Sequence, residues 1–212
     1  DKAARFLEKH AHPDLNAEDL ADKVADTVRE LYAGPPGDDV TIVILKARRK
    51  LTATVFTGPP RKKNYDQETV ARFINYPGKH VVCGGTTAKI VSRHLARPLE
   101  VDLKSMTEEV PPQARIEGID LVSEGILTLT RTNTLLQTGA DRSTVRYRVD
   151  GASNLLRLML GVDHVHFVVG QAVNPAHQNP DLPNQLGIRL KVVEDIAEAL
   201  RERGKEVTIE KV

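Results

Sequence analysis

The chain has no tryptophan, a single cysteine, and only four phenylalanines and four tyrosines in 212 residues. One cysteine, Cys83, closes no internal disulfide, and no secretory signal opens the sequence, so a reducing cytoplasm is the expected setting. An aromatic content of 4% leaves few stacking platforms for bases, and a formal net charge of +1 supplies no field to draw a polyanion. Nucleic acid is therefore not an expected partner. No uninterrupted apolar run approaches the ~18 residues of a membrane span, so no membrane association is expected either. The Gly-x-x-x-x-Gly-Lys-Ser/Thr phosphate loop, the Gly-x-Gly-x-x-Gly fingerprint and the Gly-x-Ser-x-Gly elbow are all missing. No Ser-His-Asp order stands out, and no residue is nominated as catalytic.

What is present reads as an ordinary globular α/β composition, with 40% hydrophobic and 28% charged residues. The organising stretch is Val81 to Leu95. An apolar β-branched pair runs into Gly84-Gly85, then Thr86-Thr87, then a helical pattern with Ala88, Val91 and Leu95 on one face. This is a strand, a tight turn and a helix. Glycines let the backbone turn and leave it uncovered, and a threonine here can cap the first helical amides. Such a helix start either holds an anion or merely connects and caps. Cys83 closes the strand with no base beside it, so core packing is its expected role.

Upstream, Leu20, Val24, Val28 and Leu31 form a helical stripe with Glu18 and Asp19 in its first turn, and a shorter helix is expected around Ala3 to Lys9. Gly34-Pro35-Pro36-Gly37 stops that pattern. Val40 to Leu45 and Leu51 to Thr57 are β-branched runs separated by a short basic link, and an antiparallel hairpin near residues 40–57 is the economical reading. Gly58-Pro59-Pro60 with Arg61-Lys62-Lys63 reads as a linker. A helix over Asp66 to Tyr76, a short strand near Ala114 to Glu117, a helix over Ile119 to Leu129, and a short helix carrying Leu155 and Met159 follow. His164 to Val169 is a strand, the stretch from Ile188 to Leu200 a helix, and Glu206 to Glu210 a final strand. The fold class is thus α/β, a mixed sheet flanked by helices.

Several residues have types that suit binding. Asp38 and Asp39 precede an expected strand, where carboxylates suit magnesium or manganese, although aspartate also simply favours turns. His164 and His166 share one side of a strand, as two zinc ligands would, yet no third ligand sits at convincing spacing. Three loops are expected to leave strand ends on one edge of a parallel sheet: Gly84, Gly85, Thr86 and Thr87; Glu117 and Asp120; and Asn174 and His177. Together they would offer an anion cradle, neutral hydrogen-bonding groups and carboxylates to a small polar ligand.

A family resemblance bears on these residues. The helix followed by Gly37-Asp38-Asp39-Val40-Thr41-Ile42-Val43-Ile44 resembles the C-terminal end of a metal-dependent serine/threonine protein phosphatase of the PPM class, in the stage II sporulation E group. Gly78 to Ala88 and Glu117 to Gly125 resemble the extra C-terminal region of some bacterial members. The resemblance implies that Asp38 is a metal ligand, that magnesium or manganese serves the intact enzyme, and that its substrate is a phosphoprotein. The family's other metal-binding aspartates, including an Asp-Gly pair, have no match before Asp38. Residues 1–50 are thus expected to be a phosphatase-derived remnant and 51–212 an accessory α/β domain, with no metal of its own and a small anion as ligand. The chain reads as a fragment. An independent enzyme on a phosphorylated or carboxylated metabolite, or a protein-interaction module, is the alternative.

Overall fold

The three-and-four spacing of Leu20, Val24, Val28 and Leu31 winds Ala17–Leu31 into a helix, α2, behind a shorter α1 at Lys2–His10. Acidic Glu18 and Asp19 lie at the positive end of α2 and Arg29 at the negative end, as the helix dipole favours. The computed structural model describes residues 2–12, 15, 17–32, 39–102, 112–172 and 185–212. It divides into two units, Asp1–Arg49 and Lys50–Val212. In the first unit α2 buries none of its residues. Residues 39–50 carry no strand, and Val43 and Leu45 are 73% and 92% exposed.

The second unit is an α/β body around a seven-stranded mixed sheet. In chain order it contains β1 (Thr52–Thr57), α3 (Asp66–Asn75), β2 (Lys79–Cys83), α4 (Gly85–Leu95), β3 (Glu100–Asp102), β4 (Gln113–Arg115) and β5 (Leu121–Ser123). There follow α5 (Ile126–Gln137), α6 (Gly151–Leu160), β6 (His164–Val169), α7 (Gln185–Glu202) and β7 (Glu206–Lys211). The strands lie in the order β3-β4-β5-β2-β1-β6-β7. β5, β2, β1, β6 and β7 are parallel, and at one side β4 pairs antiparallel with both β3 and β5.

Strands buried on both faces need apolar residues at every position, which is what Val81-Val82-Cys83 and Phe167-Val168-Val169 supply. One face of the sheet (Val55, Val81, Val165, Phe167) packs on Leu129, Leu136, Leu155, Met159, Val193 and Ile196 from α5, α6 and α7. The other (Phe56, Val82, Val122, Val168) packs on Val70 and Phe73 of α3 and Ile90 and Val91 of α4. The rings of Phe56 and Phe73 meet at 5.5 Å.

Three expectations fail here. The hairpin near residues 40–57 does not form, because β1 is an interior strand and both its edges are taken by parallel partners, β2 and β6. The helix expected over Ile119 to Leu129 is instead a buried strand, β5, then a turn, then α5. Its apolar spacing of three and four arises where a two-sided strand abuts a helix start. Gly58-Pro59-Pro60 is no linker: Gly58 and Pro60 are buried at the end of β1, and the Pro59 carbonyl accepts from the Ala172 amide at 3.1 Å.

Candidate functional site at the carboxyl edge of the sheet

Register places Val169, Thr57, Cys83 and Ser123 abreast at the carboxyl ends of β6, β1, β2 and β5. Each strand then gives way at once to a residue that exposes backbone: Gly170, Gly58 and Gly84, and Gly125 one residue further on. In open α/β sheets this edge, outside the strand ends where the chain order reverses, is where ligands sit. The reversal here falls at β1, whose successor β2 lies on one side and β6 on the other.

The Gly84 turn is built for close approach. Gly84 has φ +123°, a conformation open to glycine alone, and its amide donates to the Ser123 carbonyl at 2.9 Å. A methyl on Gly125 would stand 3.2 Å from the Cα of Gly84, so the openings of α4 and α5 lie against each other. The two helix starts differ. Glu124 reaches forward to accept the Leu127 amide at 3.1 Å and so caps α5. α4 has no side-chain cap, and the amides of Gly85, Thr86 and Thr87 find no acceptor among the described residues. Gly85 and Thr86 are exposed, and a methyl on Gly85 would meet nothing within 4 Å. The mouth of the turn is open.

Beneath it lies a buried polar atom without a partner. The Thr87 hydroxyl is enclosed, makes no hydrogen bond among the described residues, and stands 3.2 Å from where a side chain on residue 84 would begin. Thr57 and Thr128 also carry buried hydroxyls without partners. Threonine can usually bond back into its own helix, as Thr132 does to the Thr128 carbonyl at 2.8 Å. Thr87 does not.

A cation completes the edge. Arg189 of α7 lays its guanidinium over Gly58, where a methyl would stand 2.8 Å from Cζ, and donates to the Gly170 carbonyl at 3.3 Å. Burial lowers its pKa, and the charge of Glu124 works against that shift. Gly58 and Gly170 are both required: φ is +79° at the first, and a methyl on the second would fall on the carbonyl oxygens of Gly58 and Pro59.

The sequence-nominated residues divide accordingly. Gly84, Gly85, Thr86 and Thr87 come together at this edge. Glu117 and Asp120 do not join them. β4 is antiparallel to β5, so the loop holding them feeds the amino end of β5, at the opposite edge. There the Asp120 carboxylate accepts from Lys79 Nζ at 2.7 Å and from the His80 amide at 2.8 Å, at the start of β2. Partial burial raises its pKa, but these bonds outweigh that and hold it below the usual carboxylate range. The Glu117 carbonyl accepts from Arg97. Asp38, Asn174 and His177 lie outside the described residues.

His164 and His166 both meet the Thr208 hydroxyl, at 2.9 and 2.7 Å. Among the described residues no three His, Cys, Asp or Glu side chains gather as metal ligands would. Cys83 is fully buried, with Ser123 Oγ 3.5 Å from its sulfur, and burial pushes the thiol up to about 12. It is no nucleophile at neutral pH.

The residues nominated for the site from the sequence did not include Thr57, Gly58, Glu124, Gly125, Gly170 and Arg189. Four of them were findable, since Gly58, Gly125 and Gly170 each follow an apolar strand as Gly84 does, and Glu124 precedes a helix by capping spacing. Arg189 carries no signal beyond being one charge on an amphipathic helix. No protein-family model matches this sequence, and no curated protein or solved structure matches it either.

Proposed function

We propose that Lys50–Val212 is a ligand-binding domain for a small anion, seated on the Gly84–Thr87 turn, and that it acts as the regulatory region of a sporulation-type protein phosphatase. The observation that carries the binding reading is the buried hydroxyl of Thr87, without a partner beneath an uncapped and open helix start. An anion there would accept from the first amides of α4 and from that hydroxyl, with the helix dipole in its favour. Binding fits better than catalysis, because the Cys83 thiol is held protonated and Glu124 is occupied as a cap.

The phosphatase half of the proposal rests on the resemblance of the segment around Asp38. The half-buried apolar side of α2, ending in the exposed Leu31, and the exposed Val43 and Leu45 support it, since such faces are normally covered in a larger domain. A bridged pair of magnesium or manganese ions needs several carboxylates, and Asp38 would supply one. The remaining ligands and the phosphoprotein site would belong to the intact enzyme.

Calorimetric titration of the chain with inorganic phosphate tests the first half. Saturable binding that Thr87→Val weakens is expected; no heat, or binding indifferent to that substitution, would remove the cradle. Manganese-dependent hydrolysis of a phosphate ester by this chain alone would overturn the second half.

A further inference from the structure

The anion turn does not explain Arg189. A guanidinium is a five-donor fork, and burying its charge is costly unless it is paired. Arg189 is nevertheless drawn in over the carboxyl ends of β1 and β6, where Gly58 and Gly170 are stripped to backbone beneath it. Its bond to the Gly170 carbonyl, at 3.3 Å, is long for a charged donor. The charge that counters its burial, Glu124, is already engaged on the Leu127 amide. The fork thus sits at the point where the strand order reverses, with capacity for a further acceptor.

Its distance from the α4 turn follows from the sheet. Thr57 and Cys83 are register partners on adjacent strands, so Gly58 and Gly84 stand about one strand spacing apart, ~4.8 Å. The guanidinium over Gly58 is then roughly 5–10 Å from the Gly84 turn. Thr57, which ends β1 directly before Gly58, carries a buried hydroxyl that finds no partner among the described residues. Amides and a hydroxyl at one end and a fork at the other match a short molecule acidic at both ends.

We propose that Arg189 is the second anchor of this site and that the ligand is a two-headed anion, with one phosphate or carboxylate on the α4 turn and the other on the Arg189 fork. This rests on the anion-binding reading above. A single small anion would satisfy the turn and leave the arginine idle; a ligand with acidic groups separated by two or three carbons engages both.

The test compares 3-phosphonopropionate with propylphosphonate, which has the same phosphonate but a methyl in place of the carboxylate, and adds glutarate as the all-carboxylate case. For the unaltered chain, calorimetry should show 3-phosphonopropionate binding about tenfold tighter than propylphosphonate. Glutarate binding tighter than pentanoate by a similar factor would show that two carboxylates suffice; glutarate no better than pentanoate would assign the turn to the phosphoryl group. Either result supports the two-headed site. Arg189→Gln should erase the gain from the second head while leaving propylphosphonate within about twofold. Thr87→Val should weaken both ligands. Because Arg189 is partly buried, Arg189→Lys serves where Arg189→Gln fails to fold: it keeps the charge, loses the fork, and should retain only part of the gain. Propylphosphonate binding through Thr87 with no gain from the second head, or a gain indifferent to both Arg189 variants, would overturn this inference and leave the anion site standing. Binding of neither phosphonate would overturn both.

Discussion

Replacing Thr87 by valine should make the protein more stable and less able to bind. Valine has the same branched shape, so the packing around residue 87, which is 1% exposed, is retained. What changes is one oxygen. A buried hydroxyl without a hydrogen bond costs ~1–3 kcal/mol in lost hydration, and exchanging it for a methyl recovers much of that. A gain of about 1–2 kcal/mol follows, or a rise in Tm of roughly 2–6 °C for a body of this size. Scanning calorimetry without ligand reads the gain, and titration with phosphate reads the loss. Thr128→Val is the matched control. Its hydroxyl is equally buried and without a partner, but the side chain faces Gly151 of α6, so stability should rise while binding is unchanged. A fall in Tm of Thr87→Val in the absence of ligand would mean that the hydroxyl is bonded in the free protein, and the argument for an anion beneath Gly84 would go with it.

Gly170→Ala should destabilise by about 3 kcal/mol, since its methyl would land on two backbone carbonyls that cannot rotate away; a urea midpoint within error of the parent would refute that crowding. His166 should make stability pH-dependent. It faces Glu210, His164, Thr208, Tyr76 and Arg72, and burial lowers its pKa although Glu210 pulls the other way. The unfolded chain then holds the extra proton first, so the stability contributed by neutral His166 is present above its ordinary pKa of about 6.5 and is lost as pH falls below it. His166→Gln should flatten the fall in urea midpoint between about pH 7 and pH 5; an unchanged slope would assign it to other groups. With its thiol pushed up to about 12, Cys83 should react with a maleimide only in denaturant, and rapid labelling of the folded protein would contradict its burial.

The sequence was most informative where the polypeptide follows one rule at a time. Val81-Val82-Cys83 followed by Gly84-Gly85 marked both a strand and the turn that ends it, and His164 to Val169 was bounded correctly at both ends. The lost hairpin and the misplaced acidic loop share one cause, that strand direction and neighbours are decided by distant segments. A hairpin between residues 40 and 57 is good local chemistry, defeated because β2 and β6 claim both edges of β1. Glu117 and Asp120 follow a real strand, yet that strand runs against its neighbour, so its loop opens on the wrong edge. Arg189 could not be foreseen, since nothing local says which face of α7 meets the end of β1.

The position of β1 also governs how the body can be made. Thr52 begins the first strand of the domain, and its register partner on one side, His164, belongs to the sixth. During synthesis the earliest strand therefore waits, one edge of backbone amides and carbonyls unpaired, until nearly the whole body has emerged. Val55 and Phe56, wholly enclosed in the finished protein, are held in a half-built sheet through that interval. Closing so long a loop is slow, and an unpaired strand edge is the feature that recruits other chains. A ribosome that stalls between α6 and β6 would release not a smaller domain but an adhesive one, so this fold places its greatest hazard in the minutes or seconds before completion rather than in the mature molecule.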